Sequence, residues 1–261
     1  MNTKRLVLIL VGALTIQCST VIADSGAERT STTGAIISKG DVAYTDISAS
    51  TTTKEPKYKP PRVGAPKGVR LVGGGTRSCS GNIVTLVALV PDHTGLTIKP
   101  QPSLYWYFSE VATTQMLLTV IEETAVKPTI ELQLIAPKSP GIQKVRLADY
   151  GISLKPGVQY EWTIALVPDP VYRSHDIITG GAIQRIAPTA KLIRELDGAS
   201  YDDYPYVYAK HGLWYDAMAS ISELIDANPS NAKLRAQRAA LLEQVGLSGM
   251  AVRDRRMLGS K

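Results

Sequence analysis

The pattern of apolar and polar residues changes once along the chain, near Pro188. Between Ile83 and about Ile186, apolar and polar residues alternate in short runs that Pro, Gly, Asp and Lys separate, which is typical of β-strands. The run "VQYEWTIALV" is the clearest case, and the "KPG" before it predicts a turn at Lys155–Gly157. About eight strands joined by short turns predict an antiparallel β-sandwich, immunoglobulin-like or jelly-roll-like, over residues 61–187.

After Pro188 the apolar period becomes 3.6, as in amphipathic helices. A wide stripe is followed by a narrower one: Trp214, Ala217, Met218, Ile221, Leu224 and Ile225, then Leu234, Leu241, Leu242 and Val245. Pro229 separates the two runs, so residues 188–261 are predicted to form a helical hairpin, and the fold class is α+β, mainly β. The first run resembles the second helix of a tetratricopeptide repeat. Its stripe needs a cover, which is either the sandwich or an outside protein.

The N-terminal residues predict export. Lys4 and Arg5 precede an apolar run that ends at Ile16, and the sequence then closes on "VIA", which is typical of a secretory signal peptide cleaved after Ala23. The run is shorter than the roughly 20 residues of a membrane-spanning helix, so we expect no transmembrane anchor and a periplasmic or extracellular protein. Residues 24–60 are rich in Ser, Thr, Lys and Pro and predict a disordered tether.

Charge and cysteine content narrow the possible partners. The formal net charge is +6, and the basic residues are scattered, which argues against nucleic acid as a partner of an exported chain. Removal of the signal peptide takes Cys18 with it and leaves Cys79 as the single thiol, which cannot form an internal disulfide. Cys79 is therefore buried, paired between chains or reactive, and burial is the prediction.

The end of the stretch "KPGVQYEWTIALVPDPVYRS" carries candidate binding residues. Asp169 and Arg173 crowd the end of a predicted strand, where binding loops often lie, and Arg185 follows in the next run. In the simpler structural interpretation, Asp169 pairs with Arg173 across a turn and Arg185 binds a nearby carbonyl or carboxylate. We expect the rim of a sheet here, with ligand contact and without catalysis.

No catalytic, metal or cofactor site is predicted. Ser174 and His175 are adjacent, so in an extended segment their side chains point apart, unlike a nucleophile and its base. His93 and His211 stand outside metal-ligand spacing. The prediction is therefore a non-catalytic module that binds a protein partner of the cell envelope. The alternative is a carbohydrate-binding sandwich, because exposed tyrosine rings stack on sugars; the candidates are Tyr105, Tyr107, Tyr201, Tyr204, Tyr206 and Tyr208.

Several segments together resemble a known family. They are "GAPKGVRLVGGGTRSC", "LVALVPDHTGLTI", "PSLYWYF", "PGIQKVRL", "LKPGVQYEWTIALVPDPVYRS", "GAIQRI" and "GLWYDA". In this order they resemble the bacterial exported family described as domain of unknown function 928, best represented in cyanobacteria. The resemblance implies an extracytoplasmic protein without an assigned reaction. It also draws attention to Trp214, Tyr215 and Asp216 of "GLWYDA", which complete the candidate binding residues.

Overall fold

The structure is a computed structural model that describes residues 54–61, 76–77, 83–111 and 114–257. These residues all lie within one compact unit, 51–261. The predicted signal peptide, Cys79 and residues 24–53 of the predicted tether lie outside the described ranges, so those predictions stay untested. Among the described helices, none has the length and apolar character that crossing a membrane requires.

The strands of the described residues form two larger sheets and one short pair. They are β1 (Thr76–Arg77), β2 (Ile83–Val84), β3 (Leu86–Ala88), β4 (Gly95–Thr97), β5 (Ser103–Phe108), β6 (Gln115–Glu122), β7 (Ile130–Leu134), β8 (Gly141–Arg146), β9 (Gln159–Val167) and β10 (Ile177–Arg185). The five-stranded sheet has the order β4-β10-β9-β6-β7, and the three-stranded sheet has the order β3-β5-β8. Strands β1 and β2 pair with each other.

Strand β9 shows the predicted alternation. Tyr160, Trp162 and Ile164 are buried while Glu161 between them is exposed, so one face of the strand enters the core. The predicted turn before β9 is also present, and Gly157 at its end has a φ of 76°, which favours glycine. The local pattern therefore fixed this strand and its start correctly.

The α+β class with mainly antiparallel strands is confirmed, whereas an immunoglobulin-like or jelly-roll-like sandwich is not established. Strand β4 pairs in parallel with β10, and neither sheet closes on itself. These two strands are far apart in the sequence, with other strands between them, so their parallel pairing needs no crossover helix and leaves no local signal.

Five α-helices follow the strands within the described residues, where the sequence predicted a hairpin. They are α1 (Ala190–Asp197), α2 (Tyr204–Lys210), α3 (Trp214–Ala227), α4 (Ala232–Gln244) and α5 (Ser248–Arg256). The predicted hairpin corresponds to α3 and α4. Helix α1 begins after Thr189, whose hydroxyl accepts a hydrogen bond from the Leu192 amide at 3.2 Å. Pro205 lies in the first turn of α2, where a missing amide hydrogen is tolerated.

Strands and helices share one apolar core. Trp214 and Ile221 of α3 are fully buried, and they belong to the same cluster as Leu104 of β5 and Ile164 of β9. The Trp214 indole N–H donates to the Leu89 carbonyl at 2.9 Å. The wide helical stripe is therefore covered by the chain's own strands, and the alternative in which an outside protein covers it is wrong.

Residues Lys54–Pro61 differ from the predicted disordered tether. Pro56 and Tyr58 are buried, and the Tyr58 amide donates to Gln244 Oε1 of α4 at 2.8 Å. The prediction of disorder up to Pro60 is therefore wrong for residues 54–60. The composition is polar, but the segment buries Pro56 and Tyr58 and forms backbone hydrogen bonds to the helices.

Candidate functional site

The connection between β9 and β10 is an ordered loop at one end of the five-stranded sheet. Asp169 Oδ1 accepts hydrogen bonds from the amides of Val171 at 2.7 Å and Tyr172 at 3.4 Å, an arrangement typical of an Asx turn. The Arg173 Nε donates to Asp176 Oδ2 at 2.7 Å. The polar side chains of this loop thus stabilise the loop itself.

The predicted pair between Asp169 and Arg173 is wrong. Asp169 is engaged by backbone amides, and Arg173 pairs with Asp176 three residues further on. The intervening residues form a 3-10 turn, which brings the guanidinium over Asp176. Ser174 and His175 are exposed in this turn. The loop therefore forms the rim of the sheet, as expected. Its salt bridge joins Arg173 to Asp176, where Asp169 was the predicted partner.

Arg185 lies at the other end of β10. Its guanidinium Nη1 donates to the Leu154 carbonyl at 3.0 Å, which confirms the structural interpretation of this side chain. Strand β10 has nine residues, so its two ends are separated by about 26 Å at the usual rise per residue. Arg185 therefore does not share a site with Asp169 and Arg173.

Trp214, Tyr215 and Asp216 lie in the interior, at the start of α3. The Tyr215 hydroxyl accepts from the Trp162 indole N–H at 2.8 Å and donates to the Ala182 carbonyl at 3.0 Å. These bonds tie the helix to β9 and β10. All three candidate side chains are at most 2% exposed, so the structure does not bring them together with the loop residues at one surface.

Asp216 is an ionisable group inside this core. Its Oδ2 accepts from the Ile98 amide at 3.0 Å, and its Oδ1 has no hydrogen-bond partner within the described part of the chain. Burial raises the pKa of Asp216 to about 6, against the opposing effects of the Ile98 amide and the Lys99 charge. The group is enclosed by protein, so its shifted pKa bears on stability.

A second feature adjoins the β9–β10 loop. A cleft of about 520 Å³ is lined by Thr114, Gln115, Gln133, Leu134, Ile135 and Ala136. Gln115 pairs with Val167, the last residue of β9, so the cleft and the loop lie at the same end of the sheet. Large apolar side chains are exposed at this end of the sheet: Ile135, which lines the cleft, is 87% exposed, and Val171 and Tyr172 of the loop are 80% and 61% exposed. We call the cleft together with Val171 and Tyr172 the rim surface.

A smaller polar cleft lies between the three-stranded sheet and the helices. Its volume is about 270 Å³, and it is lined by Tyr105, Ile142, Gln143, Lys144, Ser222, Asp226 and Arg238. Lys144 pairs with Asp226 at 2.5 Å, and the Arg238 guanidinium binds both carboxylate oxygens of Asp254. No sequence motif predicted this cleft. Its ionic groups already have partners, which makes it weaker than the rim surface as a candidate site.

Two of the tyrosines proposed for stacking, Tyr105 and Tyr107, are placed differently from the expectation, whereas Tyr201 is 51% exposed. Tyr105 and Tyr107 are buried on the helix-facing side of β5, and the Arg253 guanidinium lies over the Tyr107 ring at 5.4 Å. Burial and the nearby Glu223 raise the pKa of Tyr105 to about 12. These two rings therefore offer no open face to a sugar, whereas Tyr172 of the rim surface does.

The histidines have protein contacts. His93 contacts Tyr58 and Asp92, and His211 Nε2 lies 3.1 Å from Glu195 Oε2. Within the described residues, no group of three or more His, Cys, Asp and Glu side chains is arranged to hold a metal ion.

Comparisons with known proteins give a family and no activity. The model of a family described as Domain of Unknown Function (DUF928) matches residues 72–254. No curated protein matches the chain. Among solved structures, Astrotactin-2, described as a conserved vertebrate-specific and perforin-like membrane protein involved in neuronal development, is 13% identical with a TM-score of 0.26. The match covers 70% of this chain and 37% of that one, and a likeness this low carries no argument.

Proposed function

The chain belongs to the family described as Domain of Unknown Function (DUF928), and we propose that it is an exported, non-catalytic protein-interaction module of the periplasm or cell exterior. The sequence supports export through the predicted signal peptide, which ends at Ala23. The intact mass of protein recovered from the periplasm or the medium tests this part, and a cytoplasmic chain that keeps Met1 would contradict it.

The rim surface is the observation that carries the interaction proposal. Single exposed apolar residues are common on protein surfaces, but here Ile135, Val171 and Tyr172 are all more than half exposed at one end of a sheet, beside an open cleft. Covering apolar area is favourable by roughly 25 cal/mol per Å², so a partner gains by docking on this surface.

The order of the loop strengthens the proposal. Asp169 holds the amides of Val171 and Tyr172, and the pair between Arg173 and Asp176 closes the following turn. A loop that is already ordered loses little conformational entropy when it binds. Asp169 and Arg173 therefore act as positioning residues for the apolar side chains, and Arg173, half-exposed, can also meet an acidic group of a partner.

The test compares two sets of serine substitutions in the full mature chain. We expect Val171→Ser with Tyr172→Ser to reduce capture of envelope proteins in a quantitative pull-down by at least about tenfold, because such central aromatic anchors carry much of an interface's binding energy. The matched control is Val126→Ser, since Val126 is 96% exposed in the β6–β7 connection at the opposite end of the same sheet. Equal capture by both variants, with unchanged melting, would contradict the proposal.

Carbohydrate binding is the second candidate. The exposed ring of Tyr172 favours it, because sugars stack on open aromatic faces and the cleft at the same end of the sheet offers the amides of Gln115 and Gln133. A glycan array probed with the full mature chain decides between the two. Specific retention of a glycan that is lost in Tyr172→Ser would support the sugar binder over the protein module.

The likeness of α3 to a tetratricopeptide repeat stays a proposal. Helices α3 and α4 have 14 and 13 residues, and the connection through Pro229 allows a hairpin. Helix α2 before them has seven residues, which is short for the first helix of such a repeat. We therefore propose that only the α3–α4 part follows the repeat pattern.

A further inference from the structure

Residues Lys54–Pro61, which we call the N-terminal segment, lie on the helices in the manner of a bound peptide. The side-chain amide of Gln244 makes two bonds to its backbone: Nε2 donates to the Pro56 carbonyl at 2.9 Å, and Oε1 accepts from the Tyr58 amide at 2.8 Å. The Gln244 side chain thus binds the backbone carbonyl of one residue and the backbone amide of the residue two positions later. The Lys59 amide also donates to the Ala209 carbonyl at 3.0 Å. Such contacts recognise an extended backbone.

The first residue of the segment is held by α2 and α4. The Lys54 carbonyl accepts from the Tyr206 hydroxyl at 2.8 Å and from Gln237 Nε2 at 3.4 Å. The Lys54 ammonium lies 3.2 Å from Asp203 Oδ1 and 4.4 Å from the centre of the Tyr206 ring. The charged end is exposed, so it adds orientation more than binding energy.

Tyr58 is the anchor of the segment. Tyr58 is 7% exposed, its ring stacks on His93 with centroids 5.8 Å apart, and it makes an edge-to-face contact with the Trp214 ring with centroids 5.1 Å apart. His93 Nδ1 lies 3.1 Å from Asp92 Oδ1, so in the neutral ring Nε2 accepts from the Tyr58 hydroxyl at 2.9 Å. A buried aromatic ring with a satisfied hydroxyl is the usual form of a binding hot spot.

Gly212 allows the backbone of the segment to approach closely. Gly212 has a φ of 73°, and a Cβ atom there would lie 2.8 Å from the Lys59 carbonyl oxygen. Pro56, Pro60 and Pro61 restrict the segment to extended conformations, which lowers the entropy lost on binding. The segment has no helix or strand of its own and is held by residues distant in the sequence.

We propose that this groove, formed by α2, α4, His93 and Gly212, is a peptide-binding site for an extended Pro-x-Tyr-x-Pro sequence, and that the N-terminal segment of a second copy exchanges with the chain's own. The groove offers identical contacts to either copy, as in domain swapping. The chain's own segment has the advantage of a high effective concentration, so exchange is favoured where that segment is weakened. The groove shares no residue with the rim surface and stands independently of it.

The first test measures binding of a fluorescent peptide with the sequence of residues 54–61 to the full mature chain. Tyr58→Ala in the chain weakens its own segment and leaves the groove residues in place. We expect this variant to bind the peptide at least about tenfold more tightly than the wild-type chain, because the internal competitor is lost. A peptide in which the tyrosine is alanine should not bind. A folded Tyr58→Ala chain that binds no better than wild type would overturn the site.

Hydrogen exchange of the wild-type chain gives a measurement that needs no variant. Excess peptide should accelerate exchange of the Tyr58 and Lys59 amides, since both lose their acceptors when the segment is displaced. The alanine peptide is the control and should leave both rates unchanged. Unchanged rates at saturating wild-type peptide would overturn the proposal even if Tyr58→Ala fails to fold.

The role of a second copy is tested by complementation. A Tyr58→Ala chain has an intact groove, and a Gln244→Ala chain has an intact segment and a damaged groove. We expect their mixture to contain a one-to-one dimer in sedimentation velocity, while each variant alone stays monomeric. A mixture that remains monomeric, although the Tyr58→Ala chain binds the free peptide, would overturn exchange between copies.

Discussion

Replacement of Trp214 by alanine should be strongly destabilising, because this side chain joins three parts of the fold. The indole is fully buried, donates to the Leu89 carbonyl, and contacts the Tyr58 ring. A buried Trp to Ala change costs about 3–5 kcal/mol from lost burial and the cavity that remains. Leaving the Leu89 carbonyl without its donor adds about 1 kcal/mol. The expected loss in the free energy of unfolding is therefore about 4–6 kcal/mol.

Urea denaturation followed by far-ultraviolet circular dichroism measures this loss, and Trp106 and Trp162 provide a fluorescence probe that survives the substitution. For a unit of this size the change corresponds to a fall in melting temperature of about 10–20 °C. Tyr172→Ala is the control for an exposed aromatic ring and should cost less than about 0.5 kcal/mol. A cost below about 1 kcal/mol for Trp214→Ala would refute the burial of the α3 stripe.

Two further changes test the buried ionic groups. Burial raises the pKa of Asp216 from 3.8 to about 6, so its contribution to stability is present near pH 4 and is lost as the pH rises through about 6, by roughly 3 kcal/mol. Asp216→Asn keeps an oxygen for the Ile98 amide and should remove this slope from urea midpoints measured between pH 4 and 7; an unchanged slope would contradict the shifted pKa. Asp254→Ala leaves the buried guanidinium of Arg238 without a counter-charge and should lower the free energy of unfolding by about 3–5 kcal/mol. Glu243→Ala removes an exposed pair with Arg255 and should lower it by less than about 1 kcal/mol. Equal costs for these two carboxylates would show that burial does not set the difference.

Local sequence patterns predicted the strands and helices in which the spacing of apolar residues alone shows which face is buried. Strand β9 alternates because one face of it enters the core, and helix α3 repeats its apolar residues at helical spacing for the same reason. What covers each face was not predictable in this way. The donor on Trp214 and its acceptor on Leu89 are 125 residues apart, and no local pattern links them.

The candidate site shows the same limit at shorter range. Two partners for Asp169 were compatible with the sequence: the guanidinium of Arg173 and the amides of the turn that Asp169 begins. In the observed backbone conformation it binds the amides. Arg173 forms its ion pair with Asp176 instead. Both pairings are compatible with the spacing, so only the geometry of the loop separates them. The exposure of Val171 and Tyr172 follows from that geometry and not from the sequence pattern.

The N-terminal segment failed prediction for a different reason. Its composition predicts disorder because composition averages over residues, whereas the segment is held by one buried ring and a few backbone bonds. The polar groups that hold it belong to His93, α2 and α4, all distant from it in the sequence. A rule based on local hydrophobicity does not include contacts to residues that are distant in the sequence. Within the segment, Tyr58 was the one large side chain that indicated burial.

Trp214 links the proposed peptide groove to the core, since its ring makes an edge-to-face contact with Tyr58 and its N–H donates to the Leu89 carbonyl. Trp214→Phe separates the two roles, because phenylalanine keeps a ring beside Tyr58 and loses the hydrogen bond. If the groove depends on ring contact, this variant loses stability but binds the free peptide with the same affinity as the wild-type chain. If the groove depends on the position of the α3 start, which the Leu89 bond fixes, peptide affinity changes together with stability.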